Sequence, residues 1–194
     1  MLNQSNITGI ILAGGKSSRM GYEKGLVMYK NKPFIAHVIH AAETLVNEVI
    51  IVSNNKNYDQ FNLKRVNDMM LNTGPLAGLY SGLYHSTTQD NLVLSCDIPL
   101  ITKELLEQLI SKVSVKDDIV QVSVKGRTNP LLAVYKKHCM MSCLKTIESG
   151  ERRLQTFVNQ QNTKTITLKS SLEKYTQNIN TRDQLNLLCN DIDN

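Results

Sequence analysis

The segment Leu12-Ala13-Gly14-Gly15-Lys16-Ser17-Ser18-Arg19-Met20-Gly21-Tyr22-Glu23-Lys24 gathers three cations around a glycine pair. Adjacent glycines let a backbone approach a ligand closely and adopt angles that other residues avoid. Exposed N–H groups in such a turn cradle phosphate oxygens, and Lys16, Arg19 and Lys24 supply the matching charge. Charge-assisted hydrogen bonds are roughly twice as strong as neutral ones, so the spacing points to a polyphosphate. A glycine turn with solvated basic residues is the plainer reading of the same pattern. Two familiar phosphate loops are excluded. A Walker A loop needs four residues between its glycines, whereas Gly9 and Gly15 are separated by five, and those five belong to a strand. No GxGxxG occurs, so the dinucleotide fingerprint is absent.

Asp97 ends the apolar run Asn91-Leu92-Val93-Leu94-Ser95-Cys96. At the carboxyl edge of an open α/β sheet, where ligands bind, its carboxylate could hold Mg2+ against substrate phosphates. It could equally open the turn at Ile98-Pro99. Asn178 and Asn180 share one face if that segment is extended. Arg152 and Arg153 point about 100° apart if helical, so that one of them faces a site. His37 and His40 share a helix face without a companion ligand and read as structural or surface residues. His85 suits a helix C-terminus if charged. Cys96, Cys139, Cys143 and Cys189 form no CxxC pair and read as thiols rather than a zinc site.

The elements that must position these groups follow from periodicity. Ile7–Ala13, Glu48–Ser53, Leu63–Val66 and Asn91–Cys96 read as strands. Phe34–Val46, Leu76–His85 and Lys103–Val113 read as helices, the last entered through Thr102 as N-cap. Gly78 and Gly82 share a helix face. Continuous apolar strands alternating with helices mean a parallel sheet covered on both faces. Further on, Ile119–Val124, Leu131–Tyr135 and Thr163–Leu168 read as strands, and Lys136–Glu148, Arg152–Asn159 and Thr181–Cys189 as helices. The expectation is an α/β fold: a single-domain, three-layer α/β/α sandwich with a mostly parallel central sheet. Residues 1–6 and 191–194 read as flexible tails of a domain spanning 7–190.

The glycine segment resembles the signature of the MobA-type nucleotidyltransferases, the molybdenum cofactor guanylyltransferases, within the glycosyltransferase-A-like superfamily. Five further stretches are similar to that family in order: Gly74-Pro75-Leu76-Ala77-Gly78, Ser95-Cys96-Asp97-Ile98-Pro99, Asn129-Pro130-Leu131-Leu132-Ala133, Gly150-Glu151-Arg152-Arg153 and Asn178-Ile179-Asn180-Thr181. Asn129 stands where the family commonly has His. The resemblance spans about Ile7 to Leu188. It implies transfer of GMP from GTP to molybdenum-bound molybdopterin, with release of pyrophosphate. It implies catalytic roles for Arg19, Lys24 and Asp97, and Mg2+ on Asp97. Leu12, Ala13, Gly14, Gly15, Lys24, Asn54, Asp68, Gly78 and Asp97 would bind the nucleotide, with Asn55 the counterpart of Asn54 if the register slips by one. Arg152, Arg153, Asn178 and Asn180 would face the acceptor. Proteins that deliver the acceptor or receive the product are implied as partners.

Composition frames these readings. The chain has 194 residues, 41% hydrophobic and 20% charged, enough for one core without staples. No apolar run approaches the ~20 residues of a membrane span, and the first apolar stretch makes a poor signal peptide, so a cytoplasmic protein is expected. The net charge of +5 suits an anionic small molecule. Without a dense Lys/Arg run or any Trp, nucleic acid is not expected as a partner. The rival readings are a molybdopterin cytidylyltransferase or related nucleotidyltransferase, and a noncatalytic nucleotide-binding module.

Overall fold

The computed structural model describes residues 6–14, 23–70 and 73–190. The chain forms β1 (Ile7–Leu12), a hairpin of β2 (Met28–Tyr29) and β3 (Lys32–Pro33), α1 (Phe34–Ala42), β4 (Glu48–Val52) and β5 (Lys64–Val66). It continues through α2 (Pro75–His85), β6 (Asp90–Ser95), α3 (Lys103–Ile110), β7 (Ile119–Val124) and β8 (Arg127–Lys136). The last elements are α4 (Cys139–Glu148), α5 (Leu154–Asn159), β9 (Thr163–Thr167) and α6 (Arg182–Asn190). Seven strands make the main sheet in the order β5-β4-β1-β6-β8-β7-β9. Among them only β8 runs against its neighbours.

All six residues of β1 are buried, and their alternation feeds two cores. Ile7 and Ile11 join one with α1 and α3; Ile10 and Leu12 join the other with α2, α4 and α5. This is the three-layer arrangement read from the sequence. From β1 the chain first builds outward through β4 and β5, then returns to place β6 on the other side of β1. The β1/β6 boundary is therefore the switch point of the sheet, where the loops after adjacent strands part and leave a crevice. Gly14 follows β1 and Asp97 follows β6, so both flank that crevice. Among the described residues no helix is long and apolar enough to cross a membrane.

Several boundaries differ from the periodic reading. Helix α1 stops at Ala42, and α5 begins only at Leu154, which leaves Arg152 and Arg153 in its irregular lead-in. The two arginines are therefore not set about 100° apart by a helix. Strand β8 begins at Arg127 instead of Leu131, although Pro130 argues against a regular strand. The structure accommodates Pro130 in a bulge: Gln121 pairs with Ala133, while the next residue, Val122, pairs with Asn129. Lys125 and Gly126, both at positive φ, turn β7 into β8, the two-residue geometry that matches strand twist. Thr102 caps α3 as expected, accepting from the Leu105 N–H at 3.3 Å.

Helix α2 lies on β1 and β4 through its glycines. A Cβ on Gly82 would meet Ile10 Cγ2 at 2.4 Å and Val52 Cγ2 at 3.3 Å. One on Gly78 would meet Leu12 only at 3.5 Å. The C-terminus of α2 is neutralised by lysines. Lys137 Nζ donates to the carbonyls of Leu83, Tyr84 and Ser86, and Lys64 Nζ to that of His85. His85 itself is held below the usual imidazole range by desolvation and these two lysines.

Gly82→Ala should lower the unfolding free energy by about 1–3 kcal/mol, because a stiff β-branched neighbour blocks the new methyl. Gly78→Ala should hold stability or raise it by under ~1 kcal/mol through helix propensity. Urea denaturation of both variants checks the pair, and equal behaviour of the two would rule out this packing account.

Candidate active site

Four residues singled out in the sequence meet at the end of β6. The Asp97 side chain is almost wholly buried, with 5% of the residue exposed. Its Oδ1 accepts from the Ser95 hydroxyl and from Asn178 Nδ2. Its Oδ2 accepts from Lys24 Nζ at 3.3 Å. The same ammonium also donates to Asn180 Oδ1. The backbone locks the arrangement, because Ile179 N–H donates to Asp97 O at 2.9 Å. Residues 178–180 thus alternate: two asparagines reach the carboxylate cluster while Ile179 is buried with Tyr29 and Phe34. Asn178 and Asn180, expected on the acceptor side, are brought onto the same carboxylate and lysine expected to serve the triphosphate.

Close packing aims Lys24. It opens a single 3-10 turn, Lys24–Leu26, whose Gly25 is buried. A Cβ on Gly25 would stand 2.6 Å from the Tyr58 hydroxyl and 3.2 Å from Cys96 Cβ. Tyr58 is fully buried and donates to Glu23 Oε2 at 3.2 Å. Burial, with Cys96 and Glu23 nearby, pushes its phenol well above the ordinary range, so it stays a donor. Burial, then the Asp97 charge, does the same for the Cys96 thiol, which is no nucleophile here. The lysine side chain remains 29% exposed.

A second group forms beyond β4 and β5. Asn54 Oδ1 accepts from the Asp68 N–H at 3.0 Å. Asp68 Oδ1 accepts from the Met70 N–H at 3.0 Å and the Ser81 hydroxyl at 3.3 Å. The neighbouring Asn55 caps the 3-10 helix at 56–61 by accepting from Asn57 N–H. Desolvation raises the Asp68 carboxyl above the usual range, against those two hydrogen bonds. Leu12 and Ala13 are buried and Gly14 is exposed. Gly78 is buried against Leu12. Gly15 and Arg19, with Lys16, lie outside the described residues.

The two late arginines are exposed and committed elsewhere. Arg152 Nη1 donates to Ile147 O at 2.9 Å, closing the end of α4. Arg153 forks onto Glu151, with Nη2 to Oε2 at 3.0 Å, and so holds that carboxyl down at about 2. His37 bonds to Tyr29 O, and the exposed His40 bonds to Glu43. A cleft of about 830 Å3 opens beside the Asp97 cluster, lined by Asn178 and Asn180 together with Tyr29, Arg127, Asn129 and Lys174. The sequence reading missed Ser95, Gly25 and Tyr58. Ser95 follows an apolar run and looks like strand interior; the Lys24-Gly25 pair was the one local signal for a tight approach.

Residues 9–165 match the model of the MobA-like NTP transferase domain. A Flavobacterium johnsoniae protein named "Probable molybdenum cofactor guanylyltransferase" is 38% identical over 93% of this chain and 95% of its own. The solved structure of molybdopterin-guanine dinucleotide biosynthesis protein A from Archaeoglobus fulgidus superposes with a TM-score of 0.80 at 21% identity, covering 96% of this chain and 98% of that one. A Mycobacterium tuberculosis protein solved in complex with manganese gives 0.71 at 14% identity, covering 95% and 98%. At such identities the two structures share the fold.

The raised Asp68 carboxyl has a stability consequence. Its charged form is disfavoured in the folded state, so its contribution falls as pH rises from the unfolded carboxylate value, ~3.9, through the raised folded one. Asp68→Asn removes that fall, since its amide oxygen still accepts from Met70 and Ser81. The unfolding free energy of the variant relative to the parent should therefore climb between about pH 3 and 7. Urea titrations across that range measure it; a flat or declining difference would contradict the assignment.

Proposed function

The chain belongs to the MobA-like NTP transferase family, and we propose that it transfers GMP from GTP to molybdenum-bound molybdopterin, giving the guanine dinucleotide cofactor and pyrophosphate. The observation that carries this reading is the meeting of Lys24, Asp97, Asn178 and Asn180 at the switch point of the sheet. A phosphoryl transfer needs little covalent help from protein. It needs alignment and charge stabilisation. The acceptor's terminal phosphate attacks the α-phosphorus of GTP, and the bond to pyrophosphate breaks. That phosphate is already anionic, so no strong general base is required.

The ammonium of Lys24, on a partly exposed side chain, would take up charge on the triphosphate. Backbone N–H groups of Gly14 and Gly15 and the Arg19 guanidinium complete the phosphate cradle in this reading. Leu12, Ala13 and Gly78 shape the nucleotide side, with Asn54 and Asp68 for the base or ribose. Asn178 and Asn180 serve the acceptor from the cleft. Arg152 and Arg153 would join them only by exchanging Ile147 O and Glu151 for an acceptor anion.

The donor set fits Mg2+. Asp97 Oδ2 and Asn180 Oδ1 already converge on one cation, the Lys24 ammonium. No group of three or more His, Cys, Asp or Glu that could hold a metal occurs among the described residues. One carboxylate supplemented by substrate phosphates and water is the usual Mg2+ arrangement. Asp97 would hold the ion, which when bound polarises the α-phosphate and neutralises its charge. A cytoplasmic setting and exchange with proteins that deliver or receive the oxygen-labile cofactor complete the reading.

The test is anaerobic pyrophosphate release with Mg2+ and metal-loaded molybdopterin, comparing GTP with CTP. GTP should be preferred and guanine incorporated into the product. Asp97→Ala should abolish turnover and Lys24→Ala should lower it by about 10²-fold or more. Preference for CTP would replace the base assignment. Nucleotide binding without release from folded protein would favour a binding module.

A further inference from the structure

Between β9 and α6 the chain crosses the ends of β7 and β8 as a strap, residues 168–180. Its start is tied by Leu168 N–H to Ser123 O at 2.8 Å. Its middle is tied by Lys125 to Glu173 at 2.5 Å. Its end carries Asn178 and Asn180. Between the middle and the end, Tyr175 packs against the core, and the Asn129 side chain hydrogen-bonds the strap to the sheet. Asn129 Nδ2 donates to Thr176 O at 3.4 Å, and its Oδ1 accepts from the Leu131 N–H at 3.0 Å.

Asn129 stands at the mouth of the β8 bulge, where the register jumps from Ala133 to Asn129. The bulge is pinned from below by fully buried Tyr135, whose hydroxyl donates to Pro130 O at 2.7 Å. The amide therefore uses both ends: the oxygen holds the bulge and the nitrogen holds the strap. Thr176 is itself buried, with its hydroxyl on Glu173 O at 2.9 Å. It lies two residues before Asn178. Asn129, Asn178 and Asn180 also line one cleft.

We propose that Asn129 is a positioning residue, which through Thr176 sets the placement of Asn178 and Asn180 against Asp97 and so tunes acceptor binding. The proposal rests on the acceptor reading of that cleft given above. It treats Asn129 as acting through the strap, with no contact to the reacting atoms. The chemistry of the amide makes it separable. A carboxylate at this position accepts from Leu131 but cannot donate to Thr176 O. A neutral imidazole does both, one nitrogen accepting and the other donating.

Three variants, Asn129→Ala, Asn129→Asp and Asn129→His, are assayed at pH 8, with folding checked by thermal melting. Loss of one such hydrogen bond is worth up to about tenfold in an equilibrium constant. The Ala and Asp variants should raise KM for molybdenum-molybdopterin by about tenfold, with kcat and KM for GTP within about threefold of the parent. The His variant should stay within about threefold throughout. An Asp variant that matches the parent, or a loss spread equally over kcat and both KM values, would overturn the proposal.

Hydrogen exchange of the Ile179 amide, which bonds to Asp97 O, reads the tether without turnover. It should quicken about tenfold in Asn129→Asp while the Ile51 amide in β4 is unchanged. Unchanged exchange at Ile179 would refute the tether even if the chain proved to use a different acceptor. Quickened exchange in a protein without guanylyltransferase activity would retain the tether and reject the reaction.

Discussion

A carboxylate buried at the end of a central strand must be matched by donors, because an unpaired buried charge is too costly to persist. Asp97 meets that demand with partners drawn from far along the chain. Ser95 comes from its own strand, Lys24 from 73 residues earlier, and Asn178 from 81 residues later. The electrostatic requirement of one group thus ties the turn after the glycine segment and the segment before α6 to the centre of the sheet. Ile179 N–H adds a backbone bond to the same residue. Loss of the carboxylate would leave Ser95, Lys24 and Asn178 without their shared acceptor, while loss of one donor would leave charge uncompensated.

The sheet makes this convergence possible. Parallel β1 and β6 end at the same level, as shown by Leu12 facing Ser95. The residues that follow therefore share an edge. Antiparallel β8 brings its first half to that edge as well, since Leu94 faces Leu132. The bulge at Pro130 then redirects the chain so that Asn129 meets the strap. Helix α2 approaches from the opposite face, and its glycines let it lie directly on β1. The close approach of Gly25 to Tyr58 and Cys96 does the same for the Lys24 turn.

What the sequence disclosed, and what it hid, follows from the range of the forces involved. The buried strands were legible because both faces are apolar, as in Ile7–Leu12 and Asn91–Ser95. Asp97 and the Asn178/Asn180 pair were legible through a strand-end position, an alternation and a family resemblance. That Asn178 binds Asp97 was not, because contacts between residues 81 apart leave no local pattern. Pro130 concealed the first half of β8, since a proline in a strand reads as an end until the bulge is seen. Arg152 and Arg153 look helical in the sequence because apolar spacing does not mark where capping begins. His85 was offered a charge by its place in α2, but Lys64 and Lys137 had taken the carbonyls. Ser95 was hidden by its own burial, which is how a strand residue ordinarily looks.

The residue type at 178 and 180 is itself constrained by the site. The two side chains lie on one face of an extended segment, yet they meet groups of opposite charge. Asn178 presents its nitrogen to a carboxylate and Asn180 presents its oxygen to an ammonium. The primary amide offers either end without a net charge of its own. An aspartate at 178 would set two carboxylates side by side and force one of them to hold a proton. A lysine at 180 would set two ammonium groups together. Serine is too short to replace the reach of the amide from the same backbone. Two asparagines thus keep the cluster neutral beyond the Lys24–Asp97 pair.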